Sequence, residues 1–458
     1  MKDARWNEPY ECECRLAAPG SQDPPFSALI TYNRGQLHVV LRDYVHYKSL
    51  ADAFAPTSTI PMLVGTHAGE PLTVLNLVPV GQFDVAPYGG GYLASGRFTA
   101  QLVMFRLAVT NPAFSIASCR FSFENSEEFT QGATFEHCVY LQDDCAVQSE
   151  IRLLRFPKIE FRLDSIQSRL SIVRDASSSQ APSWRLAQYS AECWIELTPD
   201  SPRDIEWFVM QATSLRLLLS ILLGAPTAAR AVRGTVLDED GEEIEASVLM
   251  WNPRSDEPTP IAPQDVRFPL SIIAPVSPDF VNKWFASKAS GAAADLFVGA
   301  FANSGMYGHQ QFSAIVHAVE AFHRHCRQGT YMAADMYADV AGELCAHIPP
   351  TLDASHRAAL KSRIRYGNEF SLIKRLTSLA KEIPPDLHAL ATTNLMEFLP
   401  RVVSTRNYFT HWDEGPSTAP RFSQQELPRA SAALARFLAL LFMLEIGLTA
   451  QVIKERWH

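Results

Sequence analysis

Alternating and β-branched apolar runs fill the first two hundred residues, at Gln36–Leu41, Leu72–Val78, Thr99–Val109 and Ile159–Leu163. A period of two marks strands with one buried face. Turn chemistry separates the runs: Pro19-Gly20, Asn33-Arg34-Gly35 and Tyr88-Gly89-Gly90-Gly91-Tyr92. Asp175–Pro182 is expected as a flexible loop and Cys193–Thr198 as the last strand. With no long helix between the strands, this part is expected to be a sandwich-like or barrel-like domain.

The period then changes. Asp204 to Gly224 is a helix that Gly224 stops and Pro226 confirms. Glu239-Asp240-Gly241-Glu242 signals a hairpin between Val236 and Val248, Pro253–Pro278 is irregular, and short helices follow over Phe280–Phe301. From Tyr307 onward the spacing is helical throughout, with Phe312, Ile315, Val316, Val319, Phe322 and Cys326 in one stripe. Further helices are predicted at Met332–Ala346, Asp353–Tyr366, Glu369–Lys381, Asp386 to Tyr408 and Leu427 to Arg456, with Asp413–Pro420 as a loop. The chain therefore reads as α+β: a β-rich domain over 1–200, a helical and mixed connector over 201–302, and an all-helical domain over 303–458.

Charge sharpens this division. The 458 residues carry a net charge of −9, yet Asn303 onward holds 16 Lys/Arg against 14 Asp/Glu, a balance of +2 that leaves −11 for the rest. Nine of the 13 histidines fall in the same third, so the C-terminal domain is better placed to meet a polyanion. The eight cysteines are scattered and no paired C-x-x-C knuckles occur, which argues against a zinc ribbon. The first residues lack an apolar signal region, so a reduced cytoplasmic compartment is expected. Two apolar segments, Trp207–Leu223 with Arg216 and Ala432–Ile453 with Arg436 and Glu445, are expected as buried helices rather than membrane spans.

The residue that stands out is Arg406. Leu390, Ala391, Leu395, Phe398, Leu399, Val402 and Val403 keep to one helix face, and the next step on that face is Arg406. A guanidinium there is costly unless paired or reserved for an anion. Asn407 follows it directly and His411 comes five residues later.

Arg406-Asn407-x-x-x-His411 resembles the R-x4–6-H signature of HEPN-domain ribonucleases, with the usual polar residue after the arginine. Glu320-Ala321-Phe322-His323-Arg324 and Tyr366–Arg375 resemble the ApeA-type branch of that family, found in bacterial anti-phage defence. The β-rich part in front is similar in layout to that branch's N-terminal domain. The resemblance implies a metal-independent endoribonuclease without cofactor, acting as a homodimer whose Arg/His pairs meet across the interface. It further implies RNA as substrate, transfer RNA in particular, cleavage during infection in answer to a phage-encoded trigger, and growth arrest of the host.

The residue chemistry fits that reaction. Self-cleavage of RNA needs a deprotonated 2′-hydroxyl, a stabilised phosphorane charge and a protonated leaving oxygen. Histidine can exchange protons near neutral pH, arginine matches phosphate oxygens with a charged fork, and Asn407 can donate to phosphate or fix an imidazole. At about 100° per residue, Arg406 and His411 lie roughly 140° apart on a straight helix. The helix is therefore expected to break near Phe409, or the site to draw on two chains. Glu320 is a candidate anchor for Arg406, with Asn368 and Glu369 as further supporting residues. Arg357, Lys361, Arg363, Arg365, Lys374 and Arg375 form the densest basic region and are candidate RNA contacts.

Blander roles stand beside these. Arg406 can serve only to pair with Glu320 or Glu369, His411 can cap a helix, and the basic region can be a solvated face. Tyr408, Phe409 and Trp412 can stack on bases or simply pack. Tyr366–Arg375 can be a helix junction capped by Gly367. His323 and His325 point to opposite sides of a helix and cannot share a metal. Gly89–Gly91 is a turn and Asp238–Glu243 a charged hairpin tip. A non-catalytic module, with a dimerising or RNA-binding bundle and a β domain that binds a ligand or phage protein, is the competing reading.

Overall fold

The computed structural model describes residues 8–457 except 22–24, 34, 48–58, 82–83, 89–90, 110–113, 132–134, 143–144, 155, 181–186, 238–240, 251–259, 304 and 413–419. The glycine turn at 89–90, the acidic tip at 238–240 and most of the loop before the last helices thus lie outside the described residues. The chain divides into two compact units, 1–216 with 227–270 and 217–226 with 271–458. Residues 201–302, expected as a connector, are shared between them.

In the first unit alternation produces strands, as expected: β1 (Tyr10–Ala17), β2 (Phe26–Asn33), β3 (Gln36–Tyr47), β4 (Ile60–His67), β5 (Glu70–Pro79), β6 (Asp84–Tyr88) and β7 (Gly91–Phe105). All their pairings are antiparallel, and the order β7-β3-β2-β1-β4-β5 returns to β7 through Leu72↔Phe105 to Pro79↔Phe98. These strands form a closed ring rather than two sheets packed face to face. Cys12, Cys14, Leu16, Ala28, Ile30, Tyr32, Leu37, Val39 and Leu41 are buried, every second residue of β1 to β3. Gly65 of β4 lies where a Cβ would overlap the Arg15 carbonyl, so only glycine permits this approach of β1.

The sheet continues from β7 through β15 (Glu243–Met250), β14 (Ala229–Leu237), β8 (Ile116–Phe123), β13 (Ala187–Pro199), β12 (Ser168–Gln180) and β11 (Ile159–Leu163). The hairpin expected between Val236 and Val248 is present, with Val236 opposite Ile244. Of the loop expected at Asp175–Pro182, residues 175–180 are strand instead, β12 staying paired to Gln180↔Ala187 because alternate residues still find partners on β13, and 181–182 lie outside the described residues. A separate pair, β9 (Phe135–Gln142) and β10 (Cys145–Leu153), and a short helix α1 (Ser126–Thr130) complete these elements.

Helix α2 (Ile205–Leu223) is followed by α3 (Leu270–Val276), α4 (Phe280–Ala286) and α5 (Ala292–Ala302). The bundle proper comprises α6 (Gly308–Cys326), α7 (Ala334–Ala346), α8 (Ala354–Arg365), α9 (Leu372–Glu382), α10 (His388–Ala391), α11 (Leu395–His411), α12 (Leu427–Glu445) and α13 (Ala450–Arg456). The stripe of α6 is buried as its spacing requires, and Phe322 meets Phe442 of α12 edge to face at 5.4 Å. Trp284 and Phe297 flank the same Phe442 at 6.0 and 5.5 Å. By length and composition α2 and α12 could each cross a membrane; 67% of the α12 window is buried inside the protein, against 44% for α2.

Two of the expected long helices are interrupted. The segment predicted from Asp386 to Tyr408 breaks after Ala391, and Asn394 caps α11 by accepting from the Glu397 N–H at 3.4 Å. The last predicted helix stops at Glu445, where Gly447 turns with φ +87° before α13 begins. Ser423 and Glu426 exchange hydrogen bonds, Ser423 N–H to Glu426 Oε2 at 2.8 Å and Glu426 N–H to Ser423 Oγ at 3.3 Å, a capping box ahead of α12.

Candidate functional site

Helix α11 carries Arg406, Asn407 and His411 in its last turns. It runs without interruption through His411, contrary to the break expected near Phe409. Trp412 ends it in the left-handed region, φ 51°, and donates its N–H to the Tyr408 carbonyl at 2.6 Å. The anchor is internal: Thr405 is fully buried and its Oγ1 accepts from the Phe422 N–H at 2.9 Å. Continuous helix from Arg406 to His411 preserves the angular gap of about 140° between them.

Arg406 is half-buried, while Asn407 and His411 are exposed. The Arg406 Nη1 donates to Asn407 Oδ1 at 3.3 Å, and its buried Nε has no hydrogen-bond partner among the described residues. Neither carboxylate weighed as its anchor reaches it. Glu320 pairs instead with Arg324 one turn on, at 3.0 Å, and Glu369 with Arg324 at 2.6 Å and Arg375 at 3.3 Å. The geometry thus corrects the expected Glu320–Arg406 pair: an i,i+4 partner on the same helix takes Glu320 first.

The two remaining motif segments converge on each other rather than on Arg406. Arg375 on α9 is only 3% exposed. It donates from Nε to the Phe370 carbonyl at 3.0 Å and from Nη1 to Nδ1 of His323 on α6 at 3.1 Å. Arginine has no acceptor, so Nδ1 of the wholly buried His323 must accept, and the ring is neutral with its proton on Nε2. Burial, reinforced by the Arg375 charge, lowers the His323 pKa to about 4. Gly329 makes room, since a side chain there would overlap the Arg375 guanidinium. Asn368, also buried, pairs twice with the Met332 backbone, accepting from its N–H at 3.0 Å and donating to its carbonyl at 2.9 Å. Gly367 is not a left-handed cap; the Tyr337 hydroxyl, bonded to the Ile364 carbonyl, fills the space a side chain would need.

Burial removes Arg375 from the basic track. Lys361, Arg363 and Arg365 are exposed on α8 and form no ion pair among the described residues. Arg357 is tied to the Pro350 carbonyl at 3.1 Å, and Lys374 lies with Nζ 5.5 Å from the Phe370 ring centre.

Three residues near the motif were not singled out from sequence. Tyr307 and His309, at the start of α6, stack with centroids 5.9 Å apart, and His309 lies 5.6 Å from Phe409 and 6.0 Å from Trp412. Arg421 sits 4.3 Å over the Tyr408 ring. About a hundred residues separate Tyr307 from Tyr408, so no local spacing could join them.

A helical bundle with Arg-Asn-x-x-x-His at the end of α11 has the layout of a HEPN-type protein, and the family model described as Apea-like HEPN matches residues 313–452. The family model for ApeA N-terminal domain 1 matches residues 13–284, more than half of the chain, which therefore belongs to the ApeA family of HEPN proteins. Membership associates the chain with anti-phage defence and ribonuclease-type activity, and HEPN domains in general bind RNA and dimerise. No curated protein and no solved structure matches it significantly.

Proposed function

We propose that this chain is a cytoplasmic endoribonuclease that cuts transfer RNA during infection, with Arg406, Asn407 and His411 as its catalytic residues. The observation that carries the reading is the state of Arg406. Its guanidinium is half-buried, holds a desolvated Nε, and meets no carboxylate among the described residues. A cation left in that condition is suited to an anionic ligand.

In the reaction, His411 takes the proton of a 2′-hydroxyl. The oxygen then bonds to phosphorus, the bond from phosphorus to the 5′-oxygen breaks, and that oxygen leaves with a proton. The products end in a 2′,3′-cyclic phosphate and a 5′-hydroxyl. Arg406 favours the more highly charged transition state through its fork, and Asn407 donates to a phosphate oxygen. With Arg406 and His411 on different sides of a continuous helical turn, a homodimer supplies the second Arg/His set and the second proton-transfer group. Lys361, Arg363 and Arg365 extend the anion-binding surface, and the N-terminal unit answers a phage-encoded trigger.

Wild-type, Arg406→Ala and His411→Ala proteins test this in chelator-containing lysate under triggering conditions. Cleavage by the wild type alone is expected; equal cleavage by His411→Ala would remove the proposed chemistry.

A second reading, ligand binding by the β unit, has its own observation. A cleft of about 520 Å³ is lined by Tyr10, Thr31, Tyr32, Gln36 and His38, and the Tyr32 hydroxyl is buried without a partner among the described residues. Deleting residues 1–200 separates the cases: constitutive toxicity fits a restraining sensor, and loss of ligand binding alone fits the module.

A further inference from the structure

The last turn of α11 carries more than the Arg/His motif. Trp412 directly follows His411, adopts φ 51° and remains 62% exposed. That backbone region favours glycine at a helix end and is costly for a bulky side chain. A strained, exposed tryptophan beside a catalytic histidine points to a use for its ring. Tyr307, 71% exposed, stacks on His309 with an interplanar angle of 12°, and His309 abuts Trp412. Tyr408 joins the group 5.6 Å from Trp412, with the Arg421 guanidinium over its ring. Phe409 pins the assembly to the core through the buried Phe312 at 6.4 Å.

On the helix wheel Tyr408 lies about 60° from His411, and Trp412 follows His411 directly in the chain, so the ring surface borders the histidine side of the motif. The exposed rings of Tyr307 and Trp412, backed by the half-buried His309 and Tyr408 and set beside the exposed Arg421, are the composition that stacks unpaired bases beside a bound backbone. We propose that Tyr307, His309, Tyr408 and Trp412 form a stacking subsite for unpaired nucleobases next to the scissile phosphate, directing the enzyme to single-stranded or loop RNA. This rests on the ribonuclease reading and adds the class of RNA that the site selects.

The test uses the full chain in a His411→Ala background, so that RNA stays intact, with two probes: a twelve-nucleotide oligoadenylate and an RNA duplex of twelve base pairs. Stacking of one base corresponds to roughly a five- to hundredfold change in affinity. Trp412→Leu is expected to weaken oligoadenylate binding about tenfold and duplex binding less than twofold, with the salt dependence unchanged. Trp412→Phe should regain most of the loss. Trp412→Gly, which suits the left-handed backbone, should fold normally and bind as poorly as Trp412→Leu. Equal losses for both probes, unchanged oligoadenylate binding, or a Trp412→Leu protein that differs in oligomeric state by sedimentation would overturn the subsite, the last by making the surface a contact between copies. Failure of the His411→Ala protein to bind either probe would instead remove the RNA reading on which the subsite depends.

Discussion

Arg375 donates to Nδ1 of His323 at 3.1 Å, and through that bond the two motif segments outside α11 meet inside the bundle. The contact joins α6 to α9 across 52 residues of sequence. Its role is structural, because it fixes the helices against which α11 packs.

Removing Arg375 should therefore act on stability. Arg375→Ala leaves the Phe370 carbonyl, His323 and Glu369 without their buried donor. Glu369 keeps Arg324, so the loss is that of buried acceptors left without a donor, about 1 to 3 kcal/mol. Arg375→Lys should recover little, because an ammonium cannot reproduce the fork. Urea denaturation of the three proteins checks this; full recovery by lysine would contradict the geometry.

His323 predicts a pH dependence. Its folded-state pKa is lowered to about 4 by burial and by Arg375, below the ordinary histidine value of about 6.5. Between these values the unfolded chain binds the proton and the folded protein does not. The stabilisation is full above about pH 6.5 and falls as the pH drops towards 4. A melting-temperature series on wild type and His323→Gln isolates this contribution, since glutamine can accept from Arg375 without titrating. The wild type's advantage should shrink through that window; a constant difference would count against the neutral, accepting ring.

On α8, Lys361→Glu and Arg365→Glu should weaken RNA binding with little change in thermal stability, both side chains being exposed. Each lost phosphate contact should lower the slope of log affinity against log salt by roughly 0.7 to 0.9. Binding isotherms at several salt concentrations read this slope directly. An unchanged slope for the double variant would assign these charges to a solvated face.

Much of the fold was legible because burial repeats with the period of each element. The α6 stripe and the alternation along β1 to β3 are direct consequences of this periodicity. The two unforeseen helix breaks share one cause. Leu390, Ala391 and Leu395 stay in helical phase across a real break, so the apolar pattern concealed it, although Asn394 with Glu397 three residues on is a capping signal. Leu448 and Ile453 likewise carried the pattern past Gly447. The candidate site was legible only where it is local in sequence. Arg406, Asn407 and His411 fall within six residues, but the true partners of Glu320 and Arg375, and the approach of His309 to Trp412, depend on packing between helices.

The central claim is that Arg406 and His411 carry out phosphoryl transfer from an RNA 2′-hydroxyl. Its most direct test is end-group analysis of transfer RNA incubated with purified wild-type, Arg406→Ala and His411→Ala proteins in chelator and the presence of the trigger. The account predicts 2′,3′-cyclic phosphate and 5′-hydroxyl ends from the wild type, with cleavage at least about a hundredfold slower in either variant, the order of a lost general acid–base group. Fragments with 5′-phosphate ends, or undiminished cleavage by His411→Ala, would contradict it.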